Sequence, residues 1–510
     1  MVEPVPGVAP HPSRLDSIDR LGSRHFDLLV VGGGIIGAAT AAHAARAGLA
    51  VALVDAGDFG GGTSSASSKL IHGGLRYLRL GDVRLVREAH HERRLLSRLV
   101  APHLVHRLPF LFPLYRGGPY RPWVVQSGIL FYSALAQSRL NWLVDAERAQ
   151  AQVPGLRVDG LRSCALYADA WTNDARLTLA NVRAAADAGA VVVNGAEVVA
   201  LRIVDGRVTG AEVRVDDENV AIAARAVVNS AGPWVDQVRR LEDPSVGTSV
   251  RLSKGAHVVV EAETEWSAAL TVPQDLVRVT FAVPWYGMLL LGTTETPYEG
   301  DPGGVAASDE DVDQILREAA VALDPPLVGP DRVRATFAGL RVLPVGAGES
   351  VSARRETVYT VGRAGMLSVA GGKLTTYRRI ALGVLDRLRG QLELREVDRA
   401  PWPLPGASIP ARMRLPEGLD SDEWAHLRHL YGSLTAEVLA PAEQDPSLLD
   451  RLDPAGPDIA AQALYAATHE WARSVDDVLR RRTTLFYRGL ANAQVVQRVN
   501  RLLQGASPRV

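Results

Sequence analysis

One cysteine, Cys164, in 510 residues excludes an intramolecular disulfide and any cysteine-cluster metal site, and fits a reducing compartment. Lysine is nearly as scarce, with three among 56 Lys and Arg side chains. A net charge of −1 provides no whole-protein field for nucleic acid. The 12 histidines show no metal-ligand spacing, so no metal is expected. Long apolar runs are missing too: the richest stretches, residues 26–54 and 122–144, are broken by glycines or by Arg46, Gln126, Gln137 and Arg139, which excludes a comfortable spanning helix. The Pro-rich start carries Arg14, Asp16, Asp19 and Arg20 before any apolar run. It reads as a tail or surface helix over residues 1–25, not as a secretory signal.

What is present is a globular composition, 47% apolar and 22% charged, enough for two or three packed domains. Three segments keep a lysine where arginine fills nearly every other cationic position. Lys69 lies in Ser64-Ser65-Ala66-Ser67-Ser68-Lys69-Leu70-Ile71-His72-Gly73-Gly74, Lys254 in Ser253-Lys254-Gly255-Ala256-His257, and Lys373 in Gly371-Gly372-Lys373-Leu374-Thr375-Thr376-Tyr377. A compact ammonium that can point at one oxygen has no guanidinium substitute, so these segments are candidates for chemistry; codon bias is the bland alternative.

Residues 26–31 read as a buried strand, and Gly32-Gly33-Gly34-Ile35-Ile36-Gly37 follows at once, opening an Ala-rich helix stopped by Gly48. The next strand ends on Asp55. Strand, G-x-G-x-x-G, helix, strand and acid in one unit is a dinucleotide-binding signature. Gly32 permits the turn, Gly34 lets backbone approach a pyrophosphate, Gly37 lets helix and strand pack, and Asp55 would hold ribose hydroxyls. NAD and FAD share this unit; the Gly/Ser/Thr-rich loop over residues 59–68 favours FAD.

From here the chain resembles the FAD-dependent, aerobic-type glycerol-3-phosphate dehydrogenases, a branch of the D-amino-acid oxidase-like flavoproteins. The segment from Thr63 to Leu78 looks like that family's first signature and Gly371 to Ala381 like its second. Asp174-Ala175-Arg176-Leu177, Ala231-Gly232-Pro233-Trp234, Lys254-Gly255-Ala256-His257 and Gly292-Thr293-Thr294 fall between them in the family's order. Departures occur at Ala39, His43, Ala47 and Asn173, and at residues 339–344, where proline follows Arg341 two positions late.

The resemblance implies an α/β fold: a Rossmann-like FAD-binding domain, an antiparallel-sheet substrate domain and a C-terminal helical domain. We expect FAD-binding parts near residues 26–110, 160–235 and 335–395, a substrate domain over 111–159 and 236–334, and the helical domain over 396–510. It further implies oxidation of sn-glycerol 3-phosphate to dihydroxyacetone phosphate, with electrons passing to a membrane quinone from a cytoplasmic, peripherally bound enzyme. Tyr120, Arg121, Trp123, Phe131, Tyr132, Arg139 and Trp142 form a mixed aromatic and cationic stretch that suits a membrane interface, or an ordinary packed helix. A longer polyol phosphate, an oxygen-using oxidase and a non-catalytic flavin-binding partner are the rival readings. Nothing in the sequence excludes a homodimer.

Oxidising an alcohol on a flavin needs a proton acceptor and fixed charges for the rest of the substrate. A phosphate calls for two or three cations, and Arg76, Arg341 and Lys373 sit inside the matching motifs. Tyr77, Lys254 and Thr375 are added as substrate contacts. His257 is the first choice for general base because histidine titrates near neutrality; His72 is its rival. Cofactor contacts are expected from Gly32, Gly34, Gly37, Asp55, Thr63, Ser64, Ser67, Ser68, Lys69, His72, Gly73, Ala231, Gly232, Gly372, Leu374 and Thr375.

Overall fold

The aliphatic run of His25–Val31 is buried along almost its whole length, the state of a strand covered on both faces of a parallel sheet. The computed structural model describes residues 12–74, 82–118, 120–136, 143–275, 278–345, 357–408 and 414–506. In it, His25–Val31 pairs in parallel with Val51–Asp55 on one side and Glu218–Asn229 on the other. Val191–Asn194 and Leu367–Gly371 extend the parallel order outward, and Thr357–Val361 closes one edge antiparallel. The hairpin expected around Asp205-Gly206 is present, joining Ala196–Val204 to Arg207–Val215. Both turn residues have positive φ, 50° and 73°, which gives the twist that matches paired strands.

Helices Ile35–Arg46, Asp174–Asp187 and Tyr377–Leu388 pack against one another on this sheet. Their contact is built from Ala38, Ala41, Val182, Val384 and Leu53, and the alanines let helix and sheet approach closely. The helix Arg14–Ser23 starts on a Ser13–Asp16 capping box and buries Leu21 in the core on the opposite face.

Among the described residues a second sheet of ten strands forms the floor. Near one edge, Val250–Glu261 pairs with Met288–Gly292, Thr296–Tyr298 and Val333–Pro344. The turn expected at Tyr286-Gly287 connects Val279–Trp285 to Met288–Gly292, with positive φ at both residues. The sheet is not wholly antiparallel: Ala269–Pro273 runs parallel to Val105–Tyr115, because these strands meet through a distant crossover and no hairpin dictates their sense. Leu161–Thr172 and Val333–Pro344, in stretches expected to bind cofactor, pair into this floor. The capping box at Ser308 and Asp311 opens helix Asp309–Ala319, which ends before the expected Leu323.

Two links position the site between the sheets. Leu70–Ile71, at the end of the loop that follows the nucleotide unit, pairs with Leu161–Thr172 of the floor. The C-terminal helices Ser421–Tyr431, Ala460–His469 and Ala493–Ala506 share their own core, and Tyr487 joins the floor's core beside Trp285 and Phe337.

Gly37 shows how tight the nucleotide unit is, since a Cβ there would lie 1.9 Å from the Gly32 carbonyl oxygen. Gly37→Ala is expected to lose about 1–3 kcal/mol by overpacking, read as a lowered thermal midpoint. Gly505→Ala, where a Cβ meets nothing within 4 Å, should stay within about 0.5 kcal/mol of the parent.

Candidate active site

The turn after His25–Val31 carries Gly32 at φ +98°, where a Cβ would sit 2.7 Å from the Ser230 carbonyl. Gly34 is the extended N-cap of helix Ile35–Arg46, so unpaired amides and the positive end of the helix dipole face the space in front of it. The Asp55 carboxylate accepts from the Gly33 amide at 2.6 Å and the Gly57 amide at 2.8 Å. Burial raises its pKa to about 6 against those two bonds. Ser64 accepts the Ile35 amide at 2.9 Å through Oγ, bringing the Ser-rich loop over the helix start.

That loop is tied down by Lys69. Its side chain is fully buried, in the left-handed region at φ +55°. The ammonium donates to Asp174 at 2.6 Å, the Ser65 carbonyl at 3.0 Å and the Tyr487 hydroxyl at 3.2 Å. Ser67 donates to the other Asp174 oxygen from its amide and its hydroxyl. Lys69 therefore shapes the cofactor loop from beneath and does not line the cavity. Gly37 and Gly73 also act from behind the wall, Gly37 through packing and Gly73 through its amide, which donates to Asp169 at 3.0 Å.

One cavity of about 1690 Å³ runs from this turn to the floor sheet. Of the residues expected to contact cofactor, Gly32, Gly34, Asp55, Thr63, Ser64, Ser67, Ser68, His72, Ala231, Gly232, Gly372, Leu374 and Thr375 line it. Its volume exceeds the roughly 300–1,000 Å³ of a common ligand pocket, which leaves room for a ligand as large as a dinucleotide. Glycine backbone, a helix N-terminus and an acid at the second strand's end are the features that suit a dinucleotide such as FAD.

The same cavity is lined by His257, Arg341, Lys373 and Thr375. His257 stacks on Phe337 at 4.8 Å between ring centroids, and its Nε2 is 2.9 Å from Ser68 Oγ. Burial, with Arg341 and Lys69 nearby, lowers its pKa to about 3, so the ring is neutral at neutral pH. Arg341 stands opposite Ser253 in the floor sheet and donates to the Thr294 carbonyl and Thr293 Oγ1, each at 3.3 Å. Lys373 follows Gly371 and Gly372, both at positive φ, in a turn that presents its side chain to the cavity. Thr375 Oγ1 is bonded to both the amide and the carbonyl of His72, which places His72 at the wall beside the second signature.

Lys254 does not join this group. Its ammonium is paired with Asp311 and lies outside the cavity lining, because the capping carboxylate of helix Asp309–Ala319 reaches it first. Arg76 and Tyr77 lie outside the described residues. Two parts of the site escaped the sequence reading. Asp58, beside Asp55 on the cavity wall, is bound by Arg481 and Arg482, a pairing across more than 420 positions with no local signal. Phe110, Phe112, Tyr167 and Phe281 form an aromatic arm of the cavity; strand alternation could have grouped the first two.

A model of the family described as FAD dependent oxidoreductase matches residues 27–378, and one described as the C-terminal domain of alpha-glycerophosphate oxidase matches residues 378–506. Glycerol-3-phosphate dehydrogenase 2 of Mycobacterium tuberculosis is 38% identical over 91% of this chain and 81% of its own. Glycerol-3-phosphate dehydrogenase of Synechocystis sp. is 33% identical over 90% of this chain and 89% of its own. The solved structure of glycerol-3-phosphate dehydrogenase from Bacillus halodurans, complexed with FAD, has a TM-score of 0.77 and 28% identity, covering 97% of this chain and 93% of that one.

The buried neutral His257 makes stability depend on pH. Its pKa is about 3 when folded against about 6.5 when unfolded. The unfolded chain therefore takes up a proton first, and stability is lost as pH falls below about 6.5 toward 3. Between about pH 7.5 and 5.5 this one group should cost on the order of 1 kcal/mol. Urea midpoints of the parent and His257→Asn at both pH values should show the smaller drop in the variant; equal drops would contradict the assignment.

Proposed function

The chain belongs to the FAD dependent oxidoreductase family, and from that premise we propose that it oxidises sn-glycerol 3-phosphate to dihydroxyacetone phosphate and passes the electrons to a membrane quinone. The observation that carries the substrate is that His257, Arg341 and Lys373 line the same cavity as the dinucleotide cradle. Bound FAD supplies the acceptor for the hydride from C2. The C2 hydroxyl proton goes to the neutral His257, whose ring is held by Ser68 and Phe337. Arg341 and Lys373 bind the phosphate dianion, and their fixed charge orients C2. An arginine at its ordinary pKa is a poor base, so Arg341 is given no proton-transfer role.

The acceptor reading is supported by helix Pro122–Leu135. Trp123, Val124, Leu130 and Phe131 are between 45% and 64% exposed on it, while Val125 and Ile129 pack inward against the floor. The same helix walls the aromatic arm of the cavity, which would give an apolar acceptor a path from a membrane surface. Tyr132 turns inward instead, donating to Asp169 at 2.8 Å, and Arg139 and Trp142 lie outside the described residues. No helix among the described residues is long and apolar enough to cross a membrane, and the docking we propose is peripheral.

Anaerobic addition of glycerol 3-phosphate to the flavin-loaded protein should bleach the oxidised flavin band. An unchanged spectrum would overturn the substrate. On reoxidation, turnover with a soluble quinone and little peroxide in air is expected; peroxide as the main product would replace the quinone reading with an oxidase. Lys373→Met should lose about 1.5–3 kcal/mol of charged hydrogen bonding, a fall of roughly 10- to 150-fold in kcat/KM, with flavin content unchanged. Trp123→Ser with Leu130→Ser should abolish flotation with phospholipid vesicles while leaving dye-linked turnover intact.

A further inference from the structure

The cofactor cradle is completed by a segment far from it in the chain. Asp58 lies three residues beyond Asp55 on the same cavity wall, and its side chain is 5% exposed. Its Oδ2 accepts from Arg481 Nε and Arg482 Nη1, and Oδ1 accepts from Arg482 Nη2 at 2.8 Å. Arg482 is fully buried and also donates to the Glu470 carbonyl at 2.6 Å; Arg481 donates to Asp477 at 2.7 Å. The neutral groups agree with the charges. Asn194 donates both to Asp58 and to the Trp471 carbonyl, and Phe59 meets the Trp471 ring edge-on at 5.6 Å.

Asp476, Asp477 and Arg481 themselves line the cavity beside Asp55. The acid that ends the second strand marks the adenosine ribose in this kind of unit. The contacts from residues 470–482 therefore gather at the adenosine end, away from His257 and Lys373. Burial would raise the Asp58 pKa, yet Arg482 and Arg481 hold it below the ordinary carboxylate range, so the clamp stays charged at neutral pH.

We propose that Arg481 and Arg482 are positioning residues for the cofactor: by clamping Asp58 they hold the loop after the second strand against the adenosine half of FAD, so that retention of the whole dinucleotide depends on the C-terminal domain. The proposal rests on FAD as the cofactor and not on the identity of the substrate or acceptor. Truncating one partner of a buried charge pair leaves the other uncompensated, and the loop should then loosen only where adenosine binds.

The test titrates the apo form of the full chain with FAD, ADP and FMN, in the parent, Asp58→Asn and Arg481→Met, alongside the thermal midpoint of each apo-protein. FAD and ADP should weaken together by roughly tenfold or more, while FMN, which lacks the adenosine half, keeps its affinity and the apo midpoints stay close to the parent's. Unchanged FAD affinity in a folded variant would overturn the clamp. Equal weakening of all three ligands with a lowered apo midpoint would also overturn it, since that pattern marks a general structural role. Should Asp58→Asn fail to fold, Arg481→Met, which leaves the Arg482 pair in place, decides by the same criteria. Failure of the parent to bind FAD at all would sink the family's cofactor for this chain, a result distinct from loss of the clamp alone.

Discussion

The Lys69 ammonium, sealed among Trp285, Phe337 and Tyr487 and paired with Asp174, fixes the course of the loop on which the rest of the site depends. A buried ion pair costs desolvation that is recovered only with excellent geometry and satisfied lone pairs. Here Asp174 accepts from Lys69, from the Ser67 amide and hydroxyl, and from the Ala175 amide, and three rings offer their faces to the cation. Burial lowers the lysine's pKa, but Asp174 and Tyr487 more than offset it, so the charge is kept. Arginine's planar fork would not enter this cage, which is a physical reason for lysine in a chain that otherwise uses arginine almost everywhere.

From that anchor the loop makes two connections of opposite kind. Ser64 reaches the first turn of helix Ile35–Arg46, where a pyrophosphate is bound in such units. Ser68, next to Lys69, reaches the ring of His257 in the floor sheet. One pinned segment thus sets the cofactor cradle and the proposed proton acceptor relative to each other, and hydride transfer demands that relation to within a fraction of an ångström. Tyr487 brings the C-terminal domain to the same anchor, so all three regions of the chain meet at one cation.

The parts of this arrangement that were legible in the sequence are those with local causes. The glycines of the nucleotide turn, the Asp205-Gly206 and Tyr286-Gly287 turns and the Ser308–Asp311 capping box each depend on residues a few positions apart. The scarcity of lysine pointed to three segments, two of which form the anchor and the cavity wall. Long-range pairing was not legible. Asp311 took Lys254 from 57 residues away, the parallel pairing of Ala269–Pro273 with Val105–Tyr115 has no turn to announce it, and in an arginine-rich chain nothing singled out Arg481 and Arg482 as partners of Asp58.

Hydrogen exchange of Lys69→Met tests most directly whether one buried cation holds the site together. Breaking a buried pair costs on the order of 3–5 kcal/mol. If that energy is local to the loop, amides of residues 63–74 in the flavin-loaded variant should exchange about 100-fold faster or more while His25–Val31 keeps its protection. Unchanged protection over residues 63–74 in a folded variant would contradict the account, because the loop would then be held by something other than Lys69.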